Sequence, residues 1–347
     1  MKATKIYFSL IIIGLLFHAC DNNPVAPKDD NNLSQMSGPT IIYSLIGEHS
    51  AKNRVYNSNS DKLLFDENHI RSNIRISPDT KSIIYVKNAS LHPWFGYYTE
   101  GIPTVVVSTD MGKTETELLS ADSTSAFFID WISNNKIAIS SVENGSTYLT
   151  IVNIAGEVIE RKNTSGVYKM CMLSDGKHLV AYNFEEFGVL DVTTYEFQIY
   201  NPNSELSAWQ APFFTDSTFI FNSYDNGGSR IIEFNLKDNS FEKYSIKTPN
   251  TILVYADAIN SVYYNNEENK LKLFKYGSQI YSVKLNGYGC DAGLSLLDGN
   301  EFYFVGESRT VDDEGLIVKV DFGANKATKL TNHGENKFIM DSKFYNL

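Results

Sequence analysis

A turn-forming residue recurs along this chain at a constant spacing. Successive copies lie 41 residues apart, at Asn134, Asp175, Asp216, Asp257 and Asp298, and Asp341 follows 43 residues later. Each copy ends one short apolar run and begins another, often with Gly, Ser or Asn beside it. These residue types favour tight turns because they tolerate left-handed dihedral angles or bond their own backbone. The spacing therefore predicts a repeated module in which a turn joins two strands.

The period and the strand composition together indicate a β-propeller. A repeat of about 40 to 45 residues made only of short strands is typical of propellers. The reason is that a four-stranded sheet buries both of its faces only when neighbouring sheets stack on it around a ring. Aromatic and β-branched residues, which favour strands, follow most of the turns, as in residues 83–86 and 302–304. We therefore expect an all-β chain.

One repeat carries a recognisable motif. Residues 74–86 read IRISPDTKSIIYV, which resembles the repeat of TolB-like (PD40, WD40-like) propellers. In that family the Ser-Pro-Asp turn joins the inner two strands of a blade. The other repeats keep the Asp or Asn and the flanking strands. The resemblance covers about residues 39–347 and implies a fold, without implying a partner.

The two ends of the repeat region are expected to share a blade. Residues 41–45, 54–56 and 62–65 resemble the outer strands of a repeat but have no inner strand of their own. Residues 337–340 can supply that strand, which gives seven four-stranded blades with the last one shared by both termini. Residues 344–347 compete with residues 41–45 for the second-strand position, and six or eight blades remain alternatives.

The amino-terminal segment predicts export and a lipid anchor. Lys2 and Lys5 precede a 12-residue apolar run, residues 6–17, which is too short to span a bilayer. The run ends in His18-Ala19-Cys20, which resembles the lipobox of bacterial lipoproteins, whose cysteine is acylated after cleavage. The alternative is an ordinary secreted protein with an incidental cysteine.

These features divide the chain into three segments. Residues 1–19 are the expected signal peptide, residues 20–38 the acylated cysteine and a disordered tether poor in apolar residues, and residues 39–347 the propeller domain. We expect a lipid-anchored protein of the bacterial cell envelope, with the outer membrane favoured, facing the periplasm or the surface. Membrane contact would run through the Cys20 lipid only.

Charge and motif content narrow the function classes. The net charge of −11 argues against nucleic acid as a partner. No Gly-x-Ser-x-Gly elbow, Walker loop or Cys-x-x-Cys pair occurs in the sequence. Cys171 and Cys290 fall three repeats apart, so free thiols are expected. We expect no cofactor and no catalytic residues.

A second motif lies between two strands of the first repeat. Residues 108–114 read Ser-Thr-Asp-Met-Gly-Lys-Thr, which resembles the Asp box of sialidases, although Glu115 stands where that family has Trp. The resemblance implies a folding element in which Asp110 and Thr114 bond the turn. Without a matching set of arginines, it does not imply sialidase chemistry.

The first repeat also contains an insertion. The interval from Asp79 to Asn134 is 55 residues instead of 41, and the extra residues fall around positions 88–101, between the second and third strands. Loops at that position share a face with the blade-to-blade loops, where propellers usually meet ligands. The aromatic-rich insertion is expected either to bind a ligand or to fold over the channel mouth as a lid. Its candidate ligand-binding residues are His92, Trp94, Phe95, Tyr97 and Tyr98.

The same register places further polar residues on that face. Glu185, Tyr224 and Asp225 are expected in loops between second and third strands and join the candidate ligand site. His49, His69 and His333 are expected in loops of the same face, where two histidines and a carboxylate can hold a divalent metal or act as base and acid. Solvated loop histidines without a ligand are the alternative.

Three functions from different classes remain open at this level. The leading hypothesis is a non-enzymatic envelope propeller that binds a peptide, a protein or a glycan on its loop face. The second is a metal-assisted polysaccharide lyase or glycan hydrolase, since TolB-like propellers include oligogalacturonate lyases that use histidines and a metal. Its candidates would be His49, His69, His92 and His333. The third is a purely structural scaffold.

Overall fold

The structure is a computed structural model that describes most of the repeat region. The described residues are 36–47, 50–57, 60–65, 71–92, 96–110, 114–120, 127–203, 205–206, 212–215, 217–225, 228–246, 250–308, 316–331 and 338–346. Strands joined by turns account for their regular structure. These residues form no helix that is long and apolar enough to cross a membrane.

The strands group into sheets in chain order. The first three are β1 (Pro39–Gly47), β2 (Ser50–Asn57) and β3 (Ser60–Leu63). Sheet 1 contains β4 (Arg71–Ile76), β5 (Ile83–His92), β6 (Gly96–Ser108) and β7 (Thr116–Ser120). Sheet 2 contains β8 (Phe127–Ser133), β9 (Lys136–Glu143), β10 (Ser146–Asn153) and β11 (Val158–Thr164). Sheet 3 contains β12 (Lys169–Met172), β13 (His178–Tyr182), β14 (Phe187–Asp191) and β15 (Phe197–Tyr200).

The remaining strands continue the same order. Sheet 4 contains β16 (Glu205–Leu206), β17 (Phe213–Thr215), β18 (Thr218–Asp225), β19 (Gly228–Asn235) and β20 (Ser240–Ser245). Sheet 5 contains β21 (Thr251–Ala256), β22 (Asn260–Asn265), β23 (Lys270–Lys275) and β24 (Ser278–Lys284). Sheet 6 contains β25 (Tyr288–Asp298), β26 (Glu301–Ser308), β27 (Leu316–Asp321) and β28 (Lys326–Lys329). The last strand, β29 (Phe338–Asn346), joins β1, β2 and β3 in a closing sheet.

The sheets are antiparallel meanders arranged around a ring. In each of them, strands that follow one another in sequence are paired, except where β29 enters the closing sheet and where β16 and β17 both pair with β18. The first strands of most neighbouring sheets contact each other: β4 with β8, β8 with β12, β17 with β21, β21 with β25, β25 with β29, and β29 with β4. Sheets 3 and 4 pack through a shared cluster of buried apolar side chains. The fold is a β-propeller, and the described strands make seven sheets. Sheet 4 differs from the expected four strands because two short strands share its first position.

The closing sheet settles how the two ends meet. β29 pairs with β1 along its length, with Phe344 opposite Ile41 and Ile339 opposite Leu45. The expected competition between residues 344–347 and β1 does not arise, because both parts of the carboxyl-terminal segment belong to one strand beside β1. Asp341 was expected in a turn and lies inside β29 instead. The register between β1 and β29 shifts between Ile42 and Ser44, as at a β-bulge.

Asp175 and Asp257, two of the recurring aspartates, lie in turns, as their spacing predicts. The Asp175 carboxylate accepts the backbone N–H groups of Lys177 and His178 and contacts the His178 ring at 2.6 Å. Asp257 likewise accepts the N–H groups of Ile259 and Asn260 at 2.8 and 2.7 Å. Burial raises the pKa of the Asp175 carboxyl, but the bonds from His178 and Lys177 outweigh it and the pKa lies below its ordinary value. Asp216 lies outside the described residues.

The buried core lies between the faces of neighbouring sheets. Its largest fully buried side chains are aromatic, and Phe187, Phe219 and Phe234 form one group with ring centroids 4.9 to 5.5 Å apart. Such ring pairs add to the free energy of burial itself. Sheets that bury both faces against neighbours in this way produce the stacked ring that the repeat predicts.

Candidate functional site

One rim of the ring is formed by the loops that join the sheets and by the turns between second and third strands. Glu186, in the turn between β13 and β14, accepts hydrogen bonds from Ser165 and Tyr168 at 2.5 and 2.6 Å. These two residues belong to the connection from sheet 2 to sheet 3. Likewise, the backbone N–H of Asn266, in the turn between β22 and β23, donates a hydrogen bond to the carbonyl of Asn250, in the connection from sheet 4 to sheet 5. We call this rim the upper rim, and the rim with the aspartate turns the lower rim.

The insertion of the first repeat is a hairpin on the upper rim. β5 and β6 continue beyond the rest of sheet 1, with Ala89 opposite Thr99 and His92 opposite Gly96. These paired residues, 89–92 and 96–99, are called the arm below. The sequence predicted a loop here, and the structure corrects this, because the alternating Ser, Leu and Tyr residues can pair as strands.

A break in the ladder separates the arm from the sheet. Asn88 has a positive φ of 64° and stands opposite residues 100–103, where the register shifts. Asparagine tolerates this left-handed conformation better than most residues. Pro103 has no N–H to donate to a ladder, and the Asn88 side chain bonds the carbonyl of Ile102 at 3.2 Å. The break sets the arm off from the regular sheet at a defined point.

The other candidate ligand residues are only partly brought together. Glu185 is exposed in the upper-rim turn after β13, where its N–H bonds Asn183 at 2.9 Å. Tyr224 and Asp225 were expected in a loop but belong to the end of β18, opposite Ser229 and Gly228. Strand pairing extends further than predicted because residues 228 and 229 continue the β19 ladder. All three lie on the same rim as the arm.

Several predicted site residues lie outside the described residues. They are Cys20, His49, His69, Trp94, Phe95 and His333. His92, Tyr97 and Tyr98 are present as backbone positions of the arm. Among the described residues, no group of three His, Cys, Asp or Glu side chains is placed to hold a metal ion.

The Asp box forms the turn that its sequence implies. Asp110 accepts hydrogen bonds from the Ser108 hydroxyl at 2.9 Å and from the N–H and hydroxyl of Thr114 at 2.6 and 2.5 Å. All of these contacts lie within one turn between β6 and β7. The motif is therefore a structural element here.

Sequence reasoning missed the charged cluster that surrounds Glu115. Its carboxylate accepts hydrogen bonds from Tyr85 at 2.6 Å and Lys87 at 2.5 Å and lies 3.6 Å from the Arg71 guanidinium. Burial raises the pKa of this carboxyl, but the bonds and charges of Lys87, Tyr85 and Arg71 outweigh it, and the pKa lies below its ordinary value. Arg71 also covers the ring of Phe65 at 4.4 Å. The cluster thus ties sheet 1 to the end of the closing sheet.

Comparisons with known proteins identify the fold without a family. No family model matches the chain, and no curated protein matches it. Among solved structures, the β-propeller domain of the Trilobed protease from Pyrococcus furiosus aligns with a TM-score of 0.55 and 12% identity over 86% of this chain and 96% of that one. That domain is described as having an open velcro topology, whereas β1 and β29 pair here. Apo AztD from Citrobacter koseri aligns with a TM-score of 0.50 and 11% identity over 89% and 98% of the two chains.

A third similar structure belongs to a longer enzyme. Prolyl oligopeptidase B from Galerina marginata aligns with a TM-score of 0.56 and 12% identity over 83% of this chain. This chain spans 48% of that protein's length. At these identities the likeness shows the propeller fold alone.

Proposed function

We propose that this protein is a non-enzymatic binding protein of the bacterial cell envelope that recognises a peptide, a protein or a glycan on its upper rim. The observation that carries the proposal is the arm, a hairpin that continues β5 and β6 past the ladder break at Asn88. A propeller supplies a rigid platform with variable loops, and binding needs only a surface.

The residue types of the arm suit ligand contact. Its strands contain His92, Tyr97 and Tyr98, and its sequence between them contains Trp94 and Phe95. Tyrosine and tryptophan offer a large rigid contact area at low entropic cost and can stack on sugar rings or pack on a peptide. Glu185, Tyr224 and Asp225 add hydrogen-bonding groups to the same proposed surface.

The resemblance of residues 18–20 to the lipobox of bacterial lipoproteins supports the envelope location. We place the propeller domain, residues 39–347, on a tether from a lipid carried by Cys20. Labelling cells with a radioactive fatty acid tests this, with the Cys20→Ser variant as the control. The proposal requires label and membrane association in the parent and loss of both in the variant. An unlabelled parent found in the soluble fraction would contradict it.

An arm-shortened variant gives the sharpest test of the binding surface. Lys87 and Thr104 pair directly, so replacing residues 88–103 with Asn-Gly closes the hairpin with a two-residue turn. Parent and variant are screened side by side on glycan and peptide arrays. The matched control is Ile154→Ser, which removes an exposed apolar side chain from a lower-rim turn.

The proposal requires at least one ligand that binds the parent and the Ile154→Ser control but loses binding when the arm is shortened. Melting temperatures of the three proteins separate this loss from unfolding. Equal binding by the parent and the arm-shortened protein would move the site away from the arm. Absence of any ligand would favour the structural scaffold.

A further inference from the structure

One interface between neighbouring sheets lacks a closed apolar core. Within the described part of the chain, clusters of buried hydrophobic side chains join the closing sheet to sheets 1 and 6, sheet 1 to 2, sheet 2 to 3, sheet 3 to 4, and sheet 5 to 6. None of these clusters joins sheet 4 to sheet 5. Between these two sheets lies a groove of about 680 Å³, which is within the size range of small-molecule sites.

The groove follows from the alternation of side chains in sheet 4. Phe221, Ile232 and Phe234 lie on one face and are fully buried against sheet 3. Ile231 and Glu233, the alternating residues of β19, lie on the other face and line the groove. Because successive side chains of a strand point to opposite faces, the polar Glu233 faces sheet 5 in place of an apolar residue.

Sheet 5 shows the same division on its own strands. Leu271 and Leu273 of β23 are buried against sheet 6. The alternating residues Lys272 and Phe274 line the groove, together with Tyr263 of β22. The two walls therefore face each other with mixed aromatic and charged side chains.

Contacts close the groove at its inner end. The Asn222 amide donates a hydrogen bond to the Leu253 carbonyl at 2.5 Å, and the rings of Phe213 and Tyr255 lie 6.1 Å apart. Both contacts join sheet 4 to β21, the first strand of sheet 5. The interface is thus held at the centre of the ring and open farther out, which gives the groove a floor.

The outer part of the groove exposes aromatic rings. Tyr276 is 74% exposed and Tyr244 is 43% exposed, and both line the groove. Tyrosine and phenylalanine rings attract cations through the negative charge density of their faces. With Tyr263 and Phe274, these rings line the same groove as Glu233.

Glu233 gives the sheet 4 wall of the groove a negative charge, and a second carboxylate lies beside it on the neighbouring outer strand. Glu233 of β19 stands directly opposite Glu242 of β20, and like charges at that spacing destabilise a sheet. Among the described residues, neither carboxylate forms an ion pair; Glu242 accepts the hydroxyl of Tyr244. Lys272, on the facing wall, already pairs with Glu268 at 3.4 Å. A cation in the groove would relieve the repulsion between the two glutamates.

We propose that the groove between sheets 4 and 5 binds a small organic cation, an amine or guanidinium carried on an apolar body. The charged group lies against Glu233 and the aromatic rings, and the apolar part packs on Ile231 and Phe274. This site lies between two sheets and does not involve the arm, so the proposal goes beyond the function proposed above. A negative result for one proposal leaves the other unaffected.

Isothermal titration calorimetry of the full chain tests the site with three probes of one shape. They are 4-phenylbutylamine, which is cationic at pH 7, the neutral 4-phenylbutan-1-ol, and the anionic 4-phenylbutyrate. We expect the amine to bind about tenfold more tightly than the alcohol, and the anion to bind least, as the attraction between unlike charges requires. Equal affinities for amine and anion, or no amine binding at millimolar concentration, would overturn the proposal.

Two variants locate the binding. Glu233→Gln is expected to weaken amine binding about tenfold and to leave alcohol binding unchanged, without loss of stability, since it removes a like-charge contact. The matched control Glu196→Gln changes an exposed glutamate of sheet 3 and is expected to leave all three affinities unchanged. Ser261→Trp, which fills the groove from sheet 5, is expected to abolish binding of amine and alcohol alike. If Glu233→Gln leaves the preference for the amine intact, the cation site is wrong.

Discussion

Ile231 and Ile232 are neighbours in β19 that lie on opposite faces of sheet 4, and alanine at each position separates the two interfaces of that sheet. Ile232 is fully buried against sheet 3, whereas Ile231 is half-buried and lines the groove. The chemical change is identical in the two variants. Any difference in the free energy of unfolding must therefore come from how closely sheet 4 packs on each neighbour.

The expected magnitudes follow from burial. Removal of three carbons from Ile232 costs about 2.4 kcal/mol at about 0.8 kcal/mol for each buried carbon. A residual cavity of about 60 Å³ adds about 1.4 kcal/mol, so the total is about 4 kcal/mol. Replacing Ile231 with alanine loses about half of this burial free energy, because Ile231 is only half-buried. It leaves no closed cavity, because water already reaches the groove. We expect its variant to cost about 1 kcal/mol.

Urea denaturation followed by circular dichroism measures both variants against the parent. The midpoints give the change in stability when the dependence on urea is unchanged. A loss three or more times larger for Ile232→Ala than for Ile231→Ala is the expected result. Equal losses would mean that sheet 4 packs as tightly on sheet 5 as on sheet 3, and the reasoning about the groove would be refuted.

Three further variants test other parts of the fold. Glu115→Gln is expected to cost about 2 kcal/mol by urea denaturation at pH 7, because it removes the carboxylate that Lys87 and Arg71 surround. The pKa of this carboxyl is lowered in the folded state, so that stability is present above its unfolded pKa of about 4.3. It is lost as pH falls through the folded pKa, and the free energies of unfolding of variant and parent should therefore converge below pH 4. Asp175→Ala should cost about 1 to 2 kcal/mol in the same assay, because two backbone N–H groups lose their acceptor, and a change within error would contradict the structural role of the turn. Deleting residues 336–347 removes β29 and should abolish cooperative thermal unfolding, and addition of that segment as a peptide should restore it; a cooperative transition without the peptide would contradict closure by β29.

The fold was predictable because its signal is local and repeated. The 41-residue spacing marks turns such as those at Asp175 and Asp257, whose carboxylates bond their own turns. Closure by the carboxyl-terminal segment was also predictable, since β1 lacked a sequence neighbour on one side. The position of Asp341 inside β29 was not predictable, because an aspartate flanked by two apolar runs gives the same sequence pattern whether it lies in a turn or within one long strand.

The candidate site was less accessible to sequence reasoning. The insertion was located correctly by its length, but its pairing as an arm depends on how Asn88 and Pro103 break the ladder, which periodicity does not report. The cluster around Glu115 joins β5 to the turn after β6, and its partners are far apart in sequence. The sequence shows that Ile232 and Glu233 lie on opposite faces of their strand. It does not show which neighbouring sheet covers each face, and the groove depends on that.

The open interface between sheets 4 and 5 is compatible with a stable ring because every sheet has two neighbours. Sheet 4 buries the face of Phe221 and Phe234 against sheet 3, and sheet 5 buries Leu271 against sheet 6. The pairing of β1 with β29 joins the ends of the ring through backbone hydrogen bonds, so closure does not depend on equal packing at every interface. Apolar residues at Glu233 and Lys272 would bury more surface, at about 25 cal/mol for each Å². The ion pair with Glu268 accounts for Lys272 within the fold, whereas the proposed cationic ligand would account for Glu233 on the opposite wall.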